Sequence, residues 1–332
     1  MRCMEGRWIE VADRVLVRRY AELDLSVGLV VGDGGCLVVD TRGDERQGAE
    51  LAAAVRRVTR EPWTVVITHS HFDHSFGTRP FLGCPVWAQE GCRTDLAGTG
   101  AQAKDVWARW YRERGRADIA DDIARTEIVL PDRLVTDRVE LTVGGRAVVL
   151  AHFGPGHSGH DLAVGVPDAG VVFAGDLVEN GAPPAYEDAY PLHWPTAVDG
   201  LLGLLAETVK GGEDHGGGRG GKDREKSGDG GNRRGGRGGE GRQERGSGGG
   251  ENRGGVVVPG HGDPVGRGFV TAQRAEIAAL AELCREVTAG RMRVEEAVRL
   301  SPYPEETTRT AVHRSTVGPP SDTGNAPSQS DW

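Results

Sequence analysis

Four side chains able to ligate a metal fall within six residues, His69-Ser70-His71-Phe72-Asp73-His74. Three imidazoles and a carboxylate crowded together bury badly as a packing cluster. A divalent cation reverses that balance, because imidazole nitrogen and carboxylate oxygen are ligands that Zn²⁺ takes. The preceding run, Trp63-Thr64-Val65-Val66-Ile67-Thr68, is short, apolar and β-branched, so it reads as a buried strand. The ligands then sit in the loop at its end, where the sites of sheet-and-helix folds collect. In extended backbone, side chains two apart share a side. That would set His69, His71 and Asp73 together and turn His74 another way.

The hexapeptide resembles the H-x-H-x-D-H signature of the metallo-β-lactamase-fold hydrolases. That resemblance implies three further ligands downstream, a His, an Asp and a His in that order. His157 in Phe153-Gly154-Pro155-Gly156-His157-Ser158-Gly159 fills the first place. Asp176, ending Val171-Val172-Phe173-Ala174-Gly175-Asp176, fills the second, and His261 in Val256-Val257-Val258-Pro259-Gly260-His261 the third. Asp40, closing Cys36-Leu37-Val38-Val39-Asp40, matches an earlier acidic position of the family. The resemblance covers roughly residues 10 to 300. It implies that His69, His71 and His157 hold one metal, that Asp73, His74 and His261 hold a second, and that Asp176 bridges them. The bridging aspartate is closer to a glyoxalase II-like ligand set than to that of true β-lactamases. The implied cofactors are two Zn²⁺, with iron or manganese as alternatives. A metal-bridging hydroxide would be the nucleophile, with Asp73 also orienting it or passing a proton.

The elements that position these residues are visible in the pattern. Val27 to Val31 and Gly35 to Val39 flank Gly32-Asp33-Gly34, a hairpin signal. Helices are expected at 44 to 60, 101 to 125, 196 to 209 and 269 to 288, and strands near 134 to 141, 146 to 151, 162 to 166 and 171 to 174. Trp107, Trp110 and Tyr111 share one helical face, as core or as a wall of a substrate cleft. The resemblance implies an α+β class with a four-layer αββα sandwich and the metals at one edge. The folded unit is expected to be a single domain made of residues 1–210 and 256–313.

Residues 211–255 differ. Of these 45 residues 21 are Gly, and none is a large apolar residue. Such a segment buries nothing that could offset its ordering entropy, so it reads as a disordered insert. It carries Arg-Gly-Gly at Arg219, Arg234, Arg237 and Arg253, but ten Lys/Arg against eight Asp/Glu and no aromatic to stack on bases. Asp176 and His261 stand 85 positions apart, and the insert accounts for most of the excess over an ordinary connection. The 314–332 tail reads as disordered too.

Composition narrows the partners. A net charge of −9 argues against a general nucleic-acid binder. The five scattered Cys form no C-x-x-C and fit reduced thiols in the cytoplasm. The N-terminus lacks a secretory apolar stretch, and no run reaches the roughly 20 apolar residues of a membrane helix. A small-molecule substrate is expected, with oligomeric state open. Glu179, Tyr186, Tyr190 and Trp194, in the loop after Asp176, are candidate substrate contacts. His152 is a candidate to support the ligand loop, His160 and Asp161 to tune His157 or touch substrate, and His193, His215 and His313 read as surface residues.

Together these point to a metal-dependent hydrolase, a dinuclear zinc enzyme cleaving a small ester, thioester, lactone or amide. Alternatives are a mononuclear iron dioxygenase or phosphodiesterase of the same fold. Outside enzymes, the alternative is a binding protein recruited through the Gly/Arg-rich insert.

Overall fold

The computed structural model describes residues 6–216 and 254–317. One sheet has the order β1 (Arg7–Ala12), β2 (Val15–Arg19), β3 (Ser26–Val31), β4 (Cys36–Val39), β5 (Trp63–Val66), β6 (Val86–Gln89) and β7 (Arg133–Val135). The other runs β13 (Val265–Gly266), β12 (Val256–His261), β11 (Val171–Glu179), β10 (Ala163–Val166), β9 (Arg146–Ala151) and β8 (Arg138–Val143). Helices α1 (Glu45–Val58), α2 (Phe72–Ser75), α3 (Glu90–Gly98), α4 (Gly100–Glu113) and α5 (Ala117–Arg125) belong to the first half. Helices α6 (Trp194–Gly216), α7 (Arg267–Thr288), α8 (Val294–Leu300) and α9 (Glu305–Val317) belong to the second.

Alternation along the strands builds the layers. In β4, Leu37 and Val39 enter a core shared with Val164, Val171 and Phe173 of the opposite sheet. Cys36 and Val38 face the other way, into a core with Leu51 and Val55 of α1. Residues of β11 divide likewise, Val171 and Phe173 between the sheets, Val172 and Ala174 against Leu201 and Leu205 of α6. Both faces of each central strand are therefore covered, which is why their sequences read as unbroken apolar runs. This is the expected four-layer αββα sandwich. Helix α1 opens on Asp44, whose carboxylate accepts the Gln47 N–H at 2.7 Å, and buries a stripe at Leu51, Ala54 and Val55.

Four expectations need correcting in detail. The strand expected near 134 to 141 is two, β7 and β8, which lie in different sheets. The 101–125 stretch is two helices, α4 and α5, broken at Gly115, whose φ of 74° suits a residue without Cβ. Helix α6 runs on to Gly216, past the boundary expected at 210, and α9 runs through 314 to Val317 instead of giving way to a tail at 314. Residues 217–253 and 318–332, the bulk of the expected insert and tail, lie outside the described residues, as do the arginines Arg219, Arg234, Arg237 and Arg253. Among the described residues no helix is long and apolar enough to cross a membrane, and Cys36, Cys84, Cys92 and Cys284 are unpaired.

Candidate metal centre

The ligand candidates converge from five places on the two sheets. His69 follows β5, and Asp73 and His74 lie on α2. His157 lies in the β9–β10 connection, Asp176 in β11 and His261 at the end of β12. They form two groups, His69, His71, His157 and Asp176 in one, Asp73, His74 and His261 in the other, with ligand atoms in each within 4.8 Å of one another. The simple alternation expected along 69–74 does not hold. The chain turns helical at Phe72, so Asp73 leaves His69 and His71 and joins His74. Ser75 closes that turn, its hydroxyl donating to the carbonyls of Ser70 at 2.8 Å and His71 at 2.9 Å.

Asp176 stands between the groups. Its Oδ2 lies 3.5 Å from Nε2 of both His69 and His157, and 3.3 Å from Nε2 of His261, while Oδ1 is 3.3 Å from Nε2 of His74. The backbone is specialised to bring it there. The pairing of β11 with β12 is irregular around Gly175, whose φ is 52°. A Cβ on Gly260 would stand 1.7 Å from Asp176 Oδ1, so only glycine leaves room for the carboxylate.

Four of the five imidazoles are oriented from behind, whereas His157 Nδ1 is buried without a hydrogen-bond partner. The outer nitrogen of His74, Nδ1, donates to Asp40 Oδ2 at 2.8 Å, and that of His71, Nε2, to Asp188 Oδ2 at 2.7 Å. His261 Nδ1 donates to the Leu23 carbonyl at 2.6 Å. His69 Nδ1 donates to the Thr68 hydroxyl at 3.1 Å, which itself donates to Asp40 at 2.9 Å. Carboxylates and carbonyls only accept, so the outer nitrogens carry the protons and the inner ones offer lone pairs to the centre. Asp40 is held at a left-handed φ of 66° by these bonds and by the Thr68 N–H at 2.8 Å.

Charge tells the same story. Burial alone would lower His71, His74 and His261. The neighbouring carboxylates outweigh it, pushing His71 up to about 10 through Asp188, His261 up to about 9 through Asp176, and His74 well above its usual value through Asp176, Asp73 and Asp40. Burial raises Asp176, but His74, His261 and His69 hold it well below the ordinary carboxylate range. Burial lowers His69, and it lowers His157 to about 4. The carboxylates thus draw positive charge to His71, His74 and His261, while burial keeps His69 and His157 neutral. His69 Nε2 and Asp176 Oδ1 are nonetheless buried without a hydrogen-bond partner. Two buried orphan ligand atoms inside a ring of lone pairs are what divalent cations would satisfy, so the donor set fits the metals that the resemblance implies.

A cavity of about 1210 Å³ opens over the cluster, with His71, Asp73, His157, Asp176 and His261 on its floor. Trp107 lines it and stacks on Phe72 at 4.1 Å between ring centroids, whereas Tyr111 is buried in the core. Tyr111 is thus core, and Trp107 packs against the same core while lining the cavity. Of the candidate substrate contacts, Tyr186 and Tyr190 line the cavity. Trp194 and Glu179 do not. Trp194 is fully buried with its indole N–H donating to the Leu177 carbonyl at 3.1 Å. Glu179 is buried behind His157, 3.9 Å from Nδ1, accepts the Ala185 N–H at 3.2 Å and is pushed up to about 8 by burial and by Asp176. Apolar matter under a loop was indistinguishable in sequence from a pocket wall.

His160 lines the cavity and receives the Ser70 N–H at 3.2 Å, tying the His157 loop to the hexapeptide. Asp161 accepts the Ser158 N–H at 2.9 Å and its hydroxyl at 2.6 Å, bracing that loop, and His152 Nδ1 donates to the Asp161 carbonyl at 2.8 Å. His193 is exposed as expected, and the His215 side chain is outside the described residues. His313 is exposed too, but lines the cavity rim. The sequence reading missed Asp188 and the Leu23 carbonyl. Asp188 carried one faint signal, an acidic residue in the loop leaving Asp176. Replacing Asp188 by alanine is expected to weaken metal binding about 10–100-fold, because His71 loses its orientation. Competition against a chromophoric chelator measures this, and unchanged affinity would remove Asp188 from the centre.

No curated protein matches the chain. The family model of the metallo-beta-lactamase superfamily matches residues 22–209. Among solved structures, a metallo-beta-lactamase from Pontibacter korlensis superposes with a TM-score of 0.52 at 16% identity, covering 82% of this chain and 99% of that one. The metallo-beta-lactamase FIM-1 from Pseudomonas aeruginosa in its mono-zinc form gives 0.54 at 16%, covering 83% and 96%. The sec-alkylsulfatase Pisa1 from Pseudomonas sp. gives 0.63 at 16%, covering 93% of this chain but 50% of that one. At such identities the superpositions speak to fold, and the family match spans more than half of the 332 residues. The chain belongs to the metallo-beta-lactamase superfamily and is a metal-dependent hydrolase.

Proposed function

We propose that the chain is a dinuclear zinc hydrolase that cleaves a small ester, thioester, lactone or amide. The observation that carries this reading is the place of Asp176, within 3.5 Å of imidazoles from both ligand groups. His69, His71 and His157 would hold one ion, Asp73, His74 and His261 the other, and Asp176 would contact both. Two dications there supply Lewis acidity toward a substrate oxygen and acidify water to near neutral pH.

The protein's own groups do the rest. Asp40, Asp188, Thr68 and Leu23 fix the imidazoles before substrate arrives, so no reorganisation is needed during reaction. Asp73, on the cavity floor with Oδ2 3.3 Å from His261 Nε2, is placed to hold a proton destined for the leaving group. Phe72 and Trp107 give the cavity an apolar side that excludes water from a bound acyl chain.

The test is elemental mass spectrometry on protein purified without chelator, alongside a panel of esters, thioesters, lactones, a phosphodiester and a chromogenic cephalosporin. About two zinc ions per chain with turnover of an acyl substrate is the expected result. One iron without hydrolysis would move the reading to a dioxygenase, and turnover of the phosphodiester alone to a phosphodiesterase. A folded protein without metal would leave a binding role for the Gly/Arg-rich segment.

A further inference from the structure

Strand β11 carries two buried carboxyl groups, Asp176 and Glu179. Side chains three apart on a regular strand face opposite ways. Here the pairing with β12 shifts register between Phe173 and Gly175 and again between Gly175 and Glu179, so the alternation breaks. Both carboxyls come to the same imidazole. Asp176 Oδ2 stands 3.5 Å from His157 Nε2, and Glu179 Oε1 stands 3.9 Å from His157 Nδ1. One strand thus brackets the ring from both ends.

Glu179 is held firmly. Gln273 of α7 donates to its carbonyl at 2.6 Å and accepts its N–H at 3.2 Å. The side chain is fully buried. Its Oε1 accepts the Ala185 N–H at 3.2 Å, while Oε2 has no hydrogen-bond partner. Burying a carboxyl for one backbone N–H is unfavourable, and an apolar side chain would fill the same volume better.

The ring it faces is the one ligand candidate without a partner on its outer nitrogen. Trp194 packs against that ring with centroids 5.6 Å apart, but its indole N–H only donates, and does so to Leu177. His157 Nε2 points to the centre, 2.9 Å from His71 Nδ1. A neutral imidazole has a single N–H. A cation that takes the Nε2 lone pair therefore leaves the ring proton on Nδ1, where a buried donor needs an acceptor. At 3.9 Å, Glu179 and Nδ1 are neighbours without a hydrogen bond.

We infer that Glu179 is the positioning residue of His157, accepting its Nδ1–H once a cation holds Nε2, and that it thereby sets the affinity of the site shared with His69 and His71; this rests on the dinuclear reading only in taking His157 as a ligand. Protonated or ionised, the carboxyl keeps an accepting oxygen, so the contact does not depend on its charge.

Nitrogen-15 NMR of the histidine rings in the zinc-loaded full chain tests it. His157 is assigned by the signals missing from His157→Gln. In the parent it should carry its proton on Nδ1, with the downfield shift and slow exchange of a hydrogen bond. Glu179→Met should abolish both features. It should also weaken one zinc ion about 10–100-fold in competition with a chromophoric chelator. Glu179→Gln keeps an accepting oxygen and should bind zinc within about threefold of the parent. His71 is the control, since among the five rings it alone has its outer proton on Nε2, toward Asp188. Its signal should be the same in every Glu179 variant. A glutamate that served only to hold the Ala185 N–H would disturb His71 through Asp188, in the same loop.

A zinc-loaded parent whose His157 Nδ1–H exchanges freely overturns the assignment, and this holds even where Glu179→Met does not fold. Full zinc affinity in Glu179→Met overturns it too. If His157→Gln loses zinc while Glu179→Met does not, the dinuclear reading stands and Glu179 falls alone. If His157→Gln binds as much zinc as the parent, His157 is no ligand, and both fall.

Discussion

Asp176→Ala is expected to abolish dinuclear loading and to cut kcat/KM by about 10³-fold or more, the scale of losing a metal's contribution to polarisation and nucleophile supply. The expectation follows from geometry. Among the described residues no other carboxylate reaches both groups, and its two oxygens neutralise imidazoles from each. Removing it takes away the carboxylate that His69, His74, His157 and His261 share, and leaves Asp73 Oδ2 beside the inner nitrogens of His74 and His261 alone, at 3.6 and 3.3 Å. The loss should appear first as metal, with a zinc titration that saturates below two equivalents, and only then as activity. Fold should survive, because the substitution takes a carboxylate out of buried strand β11 and adds no volume to it. Two retained zinc ions with full turnover would mean that the carboxylate is not a bridge.

Gly260→Ala should be nearly as damaging, although it removes no functional group. The new methyl would sit 1.7 Å from Asp176 Oδ1 and 3.1 Å from the carbonyl carbon of Gly175. The strands cannot separate cheaply, because β11 and β12 pair through Val171–Val256, Val172–Val257 and Phe173–Val258 just before this point. The carboxylate must rotate away. A strain of about 1–3 kcal/mol is expected in thermal unfolding, together with weakened metal binding. Gly268→Ala is the control, since its Cβ would meet nothing within 4 Å on the first turn of α7. It should hold metal fully and be stabilised by up to about 1 kcal/mol. Equal behaviour of the two variants would show that the close approach at Gly260 is not needed.

Much of this site could be read in the sequence, for physical reasons that also explain the failures. His69, Asp40, Asp176 and His261 each close or follow an apolar run, and a strand buried on both faces advertises both its extent and its end. His157 sits among glycines and a proline, the composition of a tight loop. The turn of α2 is one helical turn long, too short for any periodicity, so the side on which Asp73 falls was not legible. The acceptor for His261 is the Leu23 backbone, which has no residue signature. Helix α9 reads Glu-Glu-Thr-Thr-Arg-Thr-Ala-Val-His-Arg-Ser-Thr-Val, rich in β-branched and hydroxyl residues of low helix propensity. Tertiary packing on α7 overrides that preference, so the helix was not legible in the sequence. Trp194 and Tyr190 have the same character in sequence. Only the fold separates the one buried beneath the loop from the half-buried one at the cavity wall.

The central claim is that Asp176 lies between two ions held by the two ligand groups. Anomalous diffraction at the zinc edge, on crystals of the zinc-loaded full chain, tests it most directly. The account requires two peaks per chain, one among His69, His71 and His157 and one among Asp73, His74 and His261, with the Asp176 carboxylate touching both. A single peak, or a second that Asp176 does not reach, would contradict it.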